Sequence, residues 1–180
     1  MEQRKEELRR SGIERLKKIA ASGSKKQKEQ RIYSQLYASD SWKQAKVIGI
    51  TISSEFEVAT QPIIEQARVE GKIIIVPKTL PKRQMTFYEW TKDTMFKRSS
   101  FGVLEPVSNQ RFLPEEIDLL IVPGLVYHPE GYRIGFGGGY YDRYLKRYSN
   151  ATCSLVFREL LNSEWEPESF DQKIQQLWID

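Results

Sequence analysis

The chain has 180 residues, 39% of them hydrophobic and 12% aromatic, with a formal net charge of +4; this is the make-up of one folded domain spanning 1–180 rather than of a disordered segment. No apolar run approaches the roughly 20 residues that cross a bilayer, and the N-terminus is too charged for a secretory signal, so a cytoplasmic protein with no membrane partner is expected. The lone Cys153 excludes an internal disulfide.

The charge is unevenly placed. Residues 1–31 hold eleven Lys or Arg against five Asp or Glu, a balance of +6, and the remainder holds 17 against 19, or −2. This basic arm could bind nucleic acid, present a solvated helix face, or point some of its cations at a bound nucleotide. Within it Leu8, Ile13, Leu16 and Ile19 fall at helical spacing, which predicts an amphipathic helix over 4–20. Ser22 to Ser24 break it, and Ile32, Tyr33 and Leu36 mark a second helix over 25–37.

A strand is predicted over 46–52, then a helix over 60–70 with Pro62 in its first turn and Gly71 at its end. Residues 72–76 read as a buried strand ended by Pro77, 84–90 as an alternating strand, and 101–106 as a loop. The apolar run 117–122 is the next buried strand, broken by Pro123 and Gly124, and 151–157 is another, with Cys153 as a small core residue. Strands apolar on both faces, alternating with helices, predict a three-layer α/β/α fold around a Rossmann-like, mostly parallel sheet.

Between the last two strands lies GYRIGFGGGYYDRYL, residues 131–145, where Gly135, Gly137, Gly138 and Gly139 run into a helix expected to reach about Tyr148. Glycines let backbone N–H groups approach an anion closely. Arg133 supplies a fixed cation, and Asp142, one turn into the helix, a carboxylate for a hard metal ion. The segment is neither common nucleotide fingerprint: Tyr140 and Tyr141 stand where a Walker loop needs Lys and Ser or Thr, and Gly135 lies more than ten residues beyond the preceding strand.

The stretch VPGLVYHPEGYRIGFGGGYYDRYL resembles the signature of the 5-formyltetrahydrofolate cyclo-ligase family, also called methenyltetrahydrofolate synthetase. KEELR (5–9) resembles that family's N-terminal Lys-x-x-Leu-Arg, residues 53–60 its folate-side strand end with a glutamate, and SSFGVLEP (99–106) its central loop. The resemblance implies an α/β/α enzyme that uses ATP and Mg²⁺ to convert 5-formyltetrahydrofolate, which can carry a polyglutamate tail, into 5,10-methenyltetrahydrofolate, with no nucleic-acid partner and as a monomer. Such chemistry needs placement and electrostatics rather than a protein nucleophile, which accounts for the lack of any Ser/His/Asp or Cys/His set. His128 is expected to be an ordinary loop histidine.

Carried over residue by residue, the resemblance implies that Lys5 and Arg9 reach the ATP phosphates together with Arg133, Ile134, Gly135, Phe136, Gly137, Gly138, Gly139, Tyr140 and Tyr141. The folate would meet Ile52, Glu57, Phe101 and the segment from Phe136 to Tyr140. Arg133 and Tyr140 would be catalytic, and Asp142 and Asp171 would hold the metal. On the residues alone, Lys5 and Arg9 could equally be surface cations, Glu57 a solvated loop acid, and Phe101 a loop anchor. Three departures from the family pattern are visible: Phe170 precedes Asp171 in place of His or Asn, Gln175 replaces a second aspartate, and Tyr127–His128 replaces a Phe–Asp pair.

Overall fold

The computed structural model describes residues 2–98, 102, 104–107 and 110–180. It opens with three helices, α1 (Glu2–Ala21), α2 (Lys25–Ala38) and α3 (Asp40–Gln44), and then β1 (Val47–Gly49), α4 (Gln61–Val69), β2 (Ile73–Leu80) and β3 (Gln84–Glu89). Short strands follow, β4 (Met95–Arg98), β5 (Leu104–Val107) and β6 (Arg111–Phe112), then β7 (Leu119–Ile121), β8 (Val126–Tyr127), β9 (Arg133–Ile134), α5 (Tyr140–Leu145), β10 (Ala151–Val156) and β11 (Gln176–Ile179). The central sheet has seven strands in the order β11-β10-β7-β1-β2-β3-β6. Its first five are parallel, while β3 and β6 are antiparallel additions. The α/β fold with a mostly parallel sheet is the one expected from the sequence.

The two faces of the sheet are buried unequally. Ile48, Ile50, Ile74, Val76, Leu119 and Ile121 point into a large core shared with α1 to α4. Their neighbours Ile75, Leu120 and Val122 point the other way, into a smaller core with Phe87, Tyr144, Leu145 and Tyr148. Alternate residues of a strand face opposite sides, which is why these runs read as continuously apolar. Among the described residues four helices thus cover one face, and only the six-residue α5 packs on the other.

Several expectations change. Pro77 does not end β2, which continues to Leu80 with Pro77 opposite Phe87. Pairing of β2 with β1 stops at Ile75, so the missing N–H of Pro77 falls where no main-sheet strand lies on that side. Residues 104–107 form β5, paired antiparallel with β4, instead of a loop; Phe101 lies outside the described residues. The helix after the glycines ends at Leu145, and the segment before them contains the hairpin β8–β9.

On α1 the buried stripe is also shifted. Ile13 is exposed, and Gly12 is the buried residue. Lys5, Arg9, Gly12, Leu16 and Ile19 follow one another at steps of four and three, so the two cations lead a stripe that faces inward. A Cβ on Gly12 would stand 2.5 Å from the Leu125 carbonyl oxygen and 3.2 Å from Val126 Cγ2, so helix and loop backbone touch here. Gly12→Ala should therefore lower stability by about 1–3 kcal/mol, read as a lower urea midpoint with an unchanged slope; an unchanged midpoint would show that α1 does not pack this tightly.

Candidate active site

The chain leaves β1 toward β2 on one side and later returns to place β7 on the other. The carboxyl ends of β1 and β7 therefore flank the point where strand order reverses, the usual binding crevice of such sheets. Here the structure has a cavity of about 30 Å³, with room for about one water molecule. Thr51, Ser53 and Glu57 line it from the β1 side, Pro123 and Gly124 from the β7 side, and Tyr127 lines it as well. Ile52 is half-buried against the large core beside it.

The loop after β1 is tightly tied. Ser53 N donates to Thr60 Oγ1 and Thr60 N to Ser53 Oγ, each at 3.0 Å, closing the neck. Glu57 Oε2 accepts from Ser54 N at 2.9 Å. Tyr127 OH donates to the Gly124 carbonyl at 3.1 Å. Burial pushes the Tyr127 phenol above its ordinary range, and the nearby Glu57 charge pushes it further.

Tyr127 pairs with Arg133 across the β8–β9 hairpin, and Arg133 leads into the glycine loop. Gly137 and Gly139 have φ of 97° and 66°, the left-handed region that glycine occupies without strain. Arg9 covers this loop: its Nε donates to the Gly135 carbonyl at 3.1 Å, and its guanidinium carbon would lie 3.6 Å from a Cβ on Gly137. Phe136 is 61% exposed at the loop's tip. Ile134 is buried in the large core, while Tyr140 and Tyr141 pack against the smaller one.

Behind the loop, two ion-pair groups interlock. Arg133, 4% exposed, donates from Nη1 to Asp142 Oδ1 at 2.9 Å and to the Gln172 carbonyl at 3.3 Å, and Gln172 N donates to the same Asp142 oxygen at 3.1 Å. One residue earlier, Asp171 Oδ2 accepts from Lys5 Nζ and from Glu168 N, both at 2.8 Å, and Lys5 also reaches Glu168 Oε2 at 2.8 Å. Burial alone would lower the Lys5 pKa, but the hydrogen bonds and charges of Asp171 and Glu168 outweigh it and hold the ammonium above its ordinary range. Phe170 lies beneath Lys5, with the ammonium 5.1 Å from its ring centre.

The sequence-derived site is thus assembled from distant parts of the chain. Lys5, Arg9, residues 133–142 and Asp171 form one continuous group, and Tyr127, paired with Arg133, shares the cavity wall with Glu57. Asp142 and Asp171 each commit one carboxylate oxygen to these contacts and have no described protein partner on the other. Among the described residues no three His, Cys, Asp or Glu side chains converge on a metal position. Two open carboxylate oxygens still suit an ion that takes its other oxygens from water and phosphate. His128 sits in the β8–β9 turn, its Nδ1 accepting from Glu130 N at 3.2 Å, which fits a loop role. Glu168 and Gln172 escaped the reading of the sequence because their partners lie at positions 5, 133 and 142, and no spacing links them.

A model of the 5-formyltetrahydrofolate cyclo-ligase family matches residues 1–160. The 5-formyltetrahydrofolate cyclo-ligase of Haemophilus influenzae is 32% identical over 142 residues, which is 72% of this chain and 75% of that protein. The mouse (Mus musculus) protein of the same name is 27% identical over 154 residues, covering 78% and 76%. The solution structure of Aquifex aeolicus 5,10-methenyltetrahydrofolate synthetase superposes with a TM-score of 0.82 at 26% identity, over 97% of this chain and 89% of that one. The structure of a 5,10-methenyltetrahydrofolate synthetase from Mycoplasma pneumoniae gives 0.76 at 21%, over 97% of both chains, a likeness of fold. With most of its length matched by the family model and its sheet shared with the synthetase structures, the chain belongs to the 5-formyltetrahydrofolate cyclo-ligase family, a family of ligases.

Proposed function

We propose that this protein uses ATP to close the ring of 5-formyltetrahydrofolate, giving 5,10-methenyltetrahydrofolate, ADP and phosphate. The formyl oxygen attacks the γ-phosphorus and ADP departs; the bridge nitrogen then attacks the activated carbon, gives up its proton, and phosphate leaves. A formamide oxygen is a poor leaving group until it is phosphorylated, so the protein's task is placement and charge neutralisation. The observation that supports this reading is the meeting of α1 cations, glycine loop and two half-open carboxylates beside a cavity that holds Glu57.

In this reading Arg9 and the backbone of residues 135–139 hold the phosphates. Lys5 reaches the same phosphates from its place on Asp171 and Glu168. Asp142 and Asp171 hold a magnesium ion, which when bound would offset the charge of the transferring phosphoryl group. Arg133 acts on the reacting groups through Asp142, which it orients. Tyr140, next to the loop, faces the formyl group, and Phe136 covers it. Glu57 accepts the N–H donors of the pterin edge, with Ile52 against the ring; a folate needs the small cavity to widen at its mouth. Phe101 is assigned to the same pocket. A cytoplasmic monomer is the form in which we expect this enzyme to work, with a polyglutamate tail on its folate tolerated.

Tyr141 offers an independent indication of a ligand. Its hydroxyl is buried with no hydrogen-bond partner among the described residues, and burial drives its pKa far up, opposed by Arg133 and reinforced by Glu57. An orphaned buried hydroxyl costs stability, and a bound substrate would satisfy it.

Four outcomes follow from this reading. Absorbance at the methenyl-folate band should rise only when protein, 5-formyltetrahydrofolate, ATP and Mg²⁺ are all present; no rise with folded protein would overturn the proposal. Asp142→Asn keeps an acceptor for buried Arg133, whereas alanine would leave that charge unpaired at a cost of about 3–5 kcal/mol. The asparagine variant keeps the hydrogen bonds but not the counter-charge, so it should unfold below wild type by less than alanine does, and lose at least about 100-fold in kcat; wild-type turnover would remove Asp142 from the metal role. Lys5→Ala should raise KM for ATP, and an effect confined to folate would refute its placement. Tyr141→Phe should unfold at the same or a slightly higher temperature while binding substrate more weakly; a clear loss of stability would mean the hydroxyl is satisfied within the protein.

A further inference from the structure

Glu57 is carried by a loop that is gripped from outside the site. Glu29, on α2, is buried, and its Oε1 accepts from Ala59 N at 2.8 Å. One helical turn later, Tyr33 OH donates to the Ala59 carbonyl at 2.6 Å. Two side chains at i and i+4 thus take both backbone polar groups of a single residue, as a neighbouring strand would take them. Lys25 Nζ lies 2.6 Å from the same Glu29 oxygen, one turn earlier still. On the opposite flank, Lys17 of α1 sits 5.5 Å from the ring centre of Phe56.

Together with the reciprocal Ser53–Thr60 bonds, these contacts tie the loop at its neck, at Phe56 and at Ala59. Between the last two ties lie Glu57 and the buried Val58; Glu57 has its Oε2 on Ser54 N and no described protein partner for its other oxygen. A loop bonded this way has few positions open to it. Burying a carboxylate such as Glu29 costs several kcal/mol unless it is paired and hydrogen-bonded. Glu29 has both partners, and one of them is the backbone two residues from Glu57.

We infer that Glu29 and Tyr33 of α2 are positioning residues for folate: by clamping both polar groups of Ala59 they hold the Glu57 carboxylate where the pterin edge is read. The inference rests on the folate role proposed for Glu57. Neither side chain touches the substrate. Their effect is on how much of the loop's freedom must be lost when the folate binds, and so on affinity for that one ligand. The nucleotide side, built from α1, residues 133–142 and Asp171, shares no side chain with the clamp.

The test is equilibrium binding to the full-length protein by titration calorimetry, with 5-formyltetrahydrofolate and with ATP measured separately. The proteins are wild type, Tyr33→Phe, Glu29→Ala, Glu29→Gln and Glu57→Gln, each with its thermal midpoint. Tyr33→Phe removes one oxygen atom and Glu29→Ala the acceptor, and each should weaken folate binding about three- to tenfold while leaving ATP affinity within about twofold. Glu29→Gln keeps an acceptor oxygen for Ala59 N and should bind folate within about twofold of wild type, a recovery that loss of packing would not give. Unchanged folate affinity in Tyr33→Phe and Glu29→Ala, with Glu57→Gln weakened, would overturn the clamp alone. Equal losses for folate and ATP that track the thermal midpoint would also overturn it, in favour of a purely structural role. Unchanged folate affinity in Glu57→Gln would instead remove the role of Glu57, and the clamp's purpose with it.

Discussion

Lys5 stands near the start of the chain and Asp171 is 166 residues away, yet their charged atoms are 2.8 Å apart. Around this bond the rest of the site is arranged. Lys5 leads the inward stripe of α1, so wherever the lysine is held, Arg9 one turn later must lie over Gly135 and Gly137. Asp171 is followed by Gln172, whose N–H and carbonyl are taken by Asp142 and Arg133. One ion pair therefore joins the first helix, the glycine loop and the second carboxylate. No local segment could do so, because the groups come from both ends of the chain and from its middle.

Such an arrangement is expensive as a stability device. Arg133 is 4% exposed and Asp171 9%, and charges taken out of water regain the loss only when the partners are complete. Apolar residues in the same places would hold α1 against the β8–β9 hairpin at least as well, as Gly12 and Leu16 do a little further along. The charges make better sense as a preorganised field for an anion and its counter-ion. Arg9 is already bent over the glycine loop, and each carboxylate keeps one oxygen free of partners among the described residues, so the proposed charged ligand would require little rearrangement.

What could be read beforehand follows the length and regularity of each element. The helices repeat their apolar residues over enough turns to show a period, the buried strands show as unbroken apolar runs, and the glycine cluster is legible because no other residue type does its work. The hairpins were not, since β8 and β9 are two residues each and β5 contains a proline. Pro77 misled because a proline stops a strand only where its N–H is needed, and that depends on which neighbours the strand has. On α1 a glycine took the buried place that hydrophobicity gave to Ile13, since close approach to Leu125 mattered more than apolar area. Glu168, Glu29 and Tyr33 were illegible for the same reason as the central ion pair: a side chain's partner across the fold leaves no mark on its neighbours in sequence.

The departures near the C-terminus can be argued in the same physical terms. Gln175 exchanges hydrogen bonds with Thr152, its Oε1 accepting from Thr152 N at 3.2 Å and its own N–H donating to Thr152 Oγ1 at 2.9 Å. It ties the segment after Asp171 to β10 and so holds the lead-in to β11. Phe170 puts an aromatic face near the Lys5 ammonium, an attraction worth about 0.5–1 kcal/mol at an exposed ring. Both substituted residues therefore act on the placement of Asp171 and its partner, and neither supplies charge. The carboxylate at 171 is the group that meets Lys5, at 2.8 Å, and the one to which the proposed metal role belongs. On either side of that point any residue that fastens the segment will serve, which is how the flanking pattern can change while the charge at 171 stays.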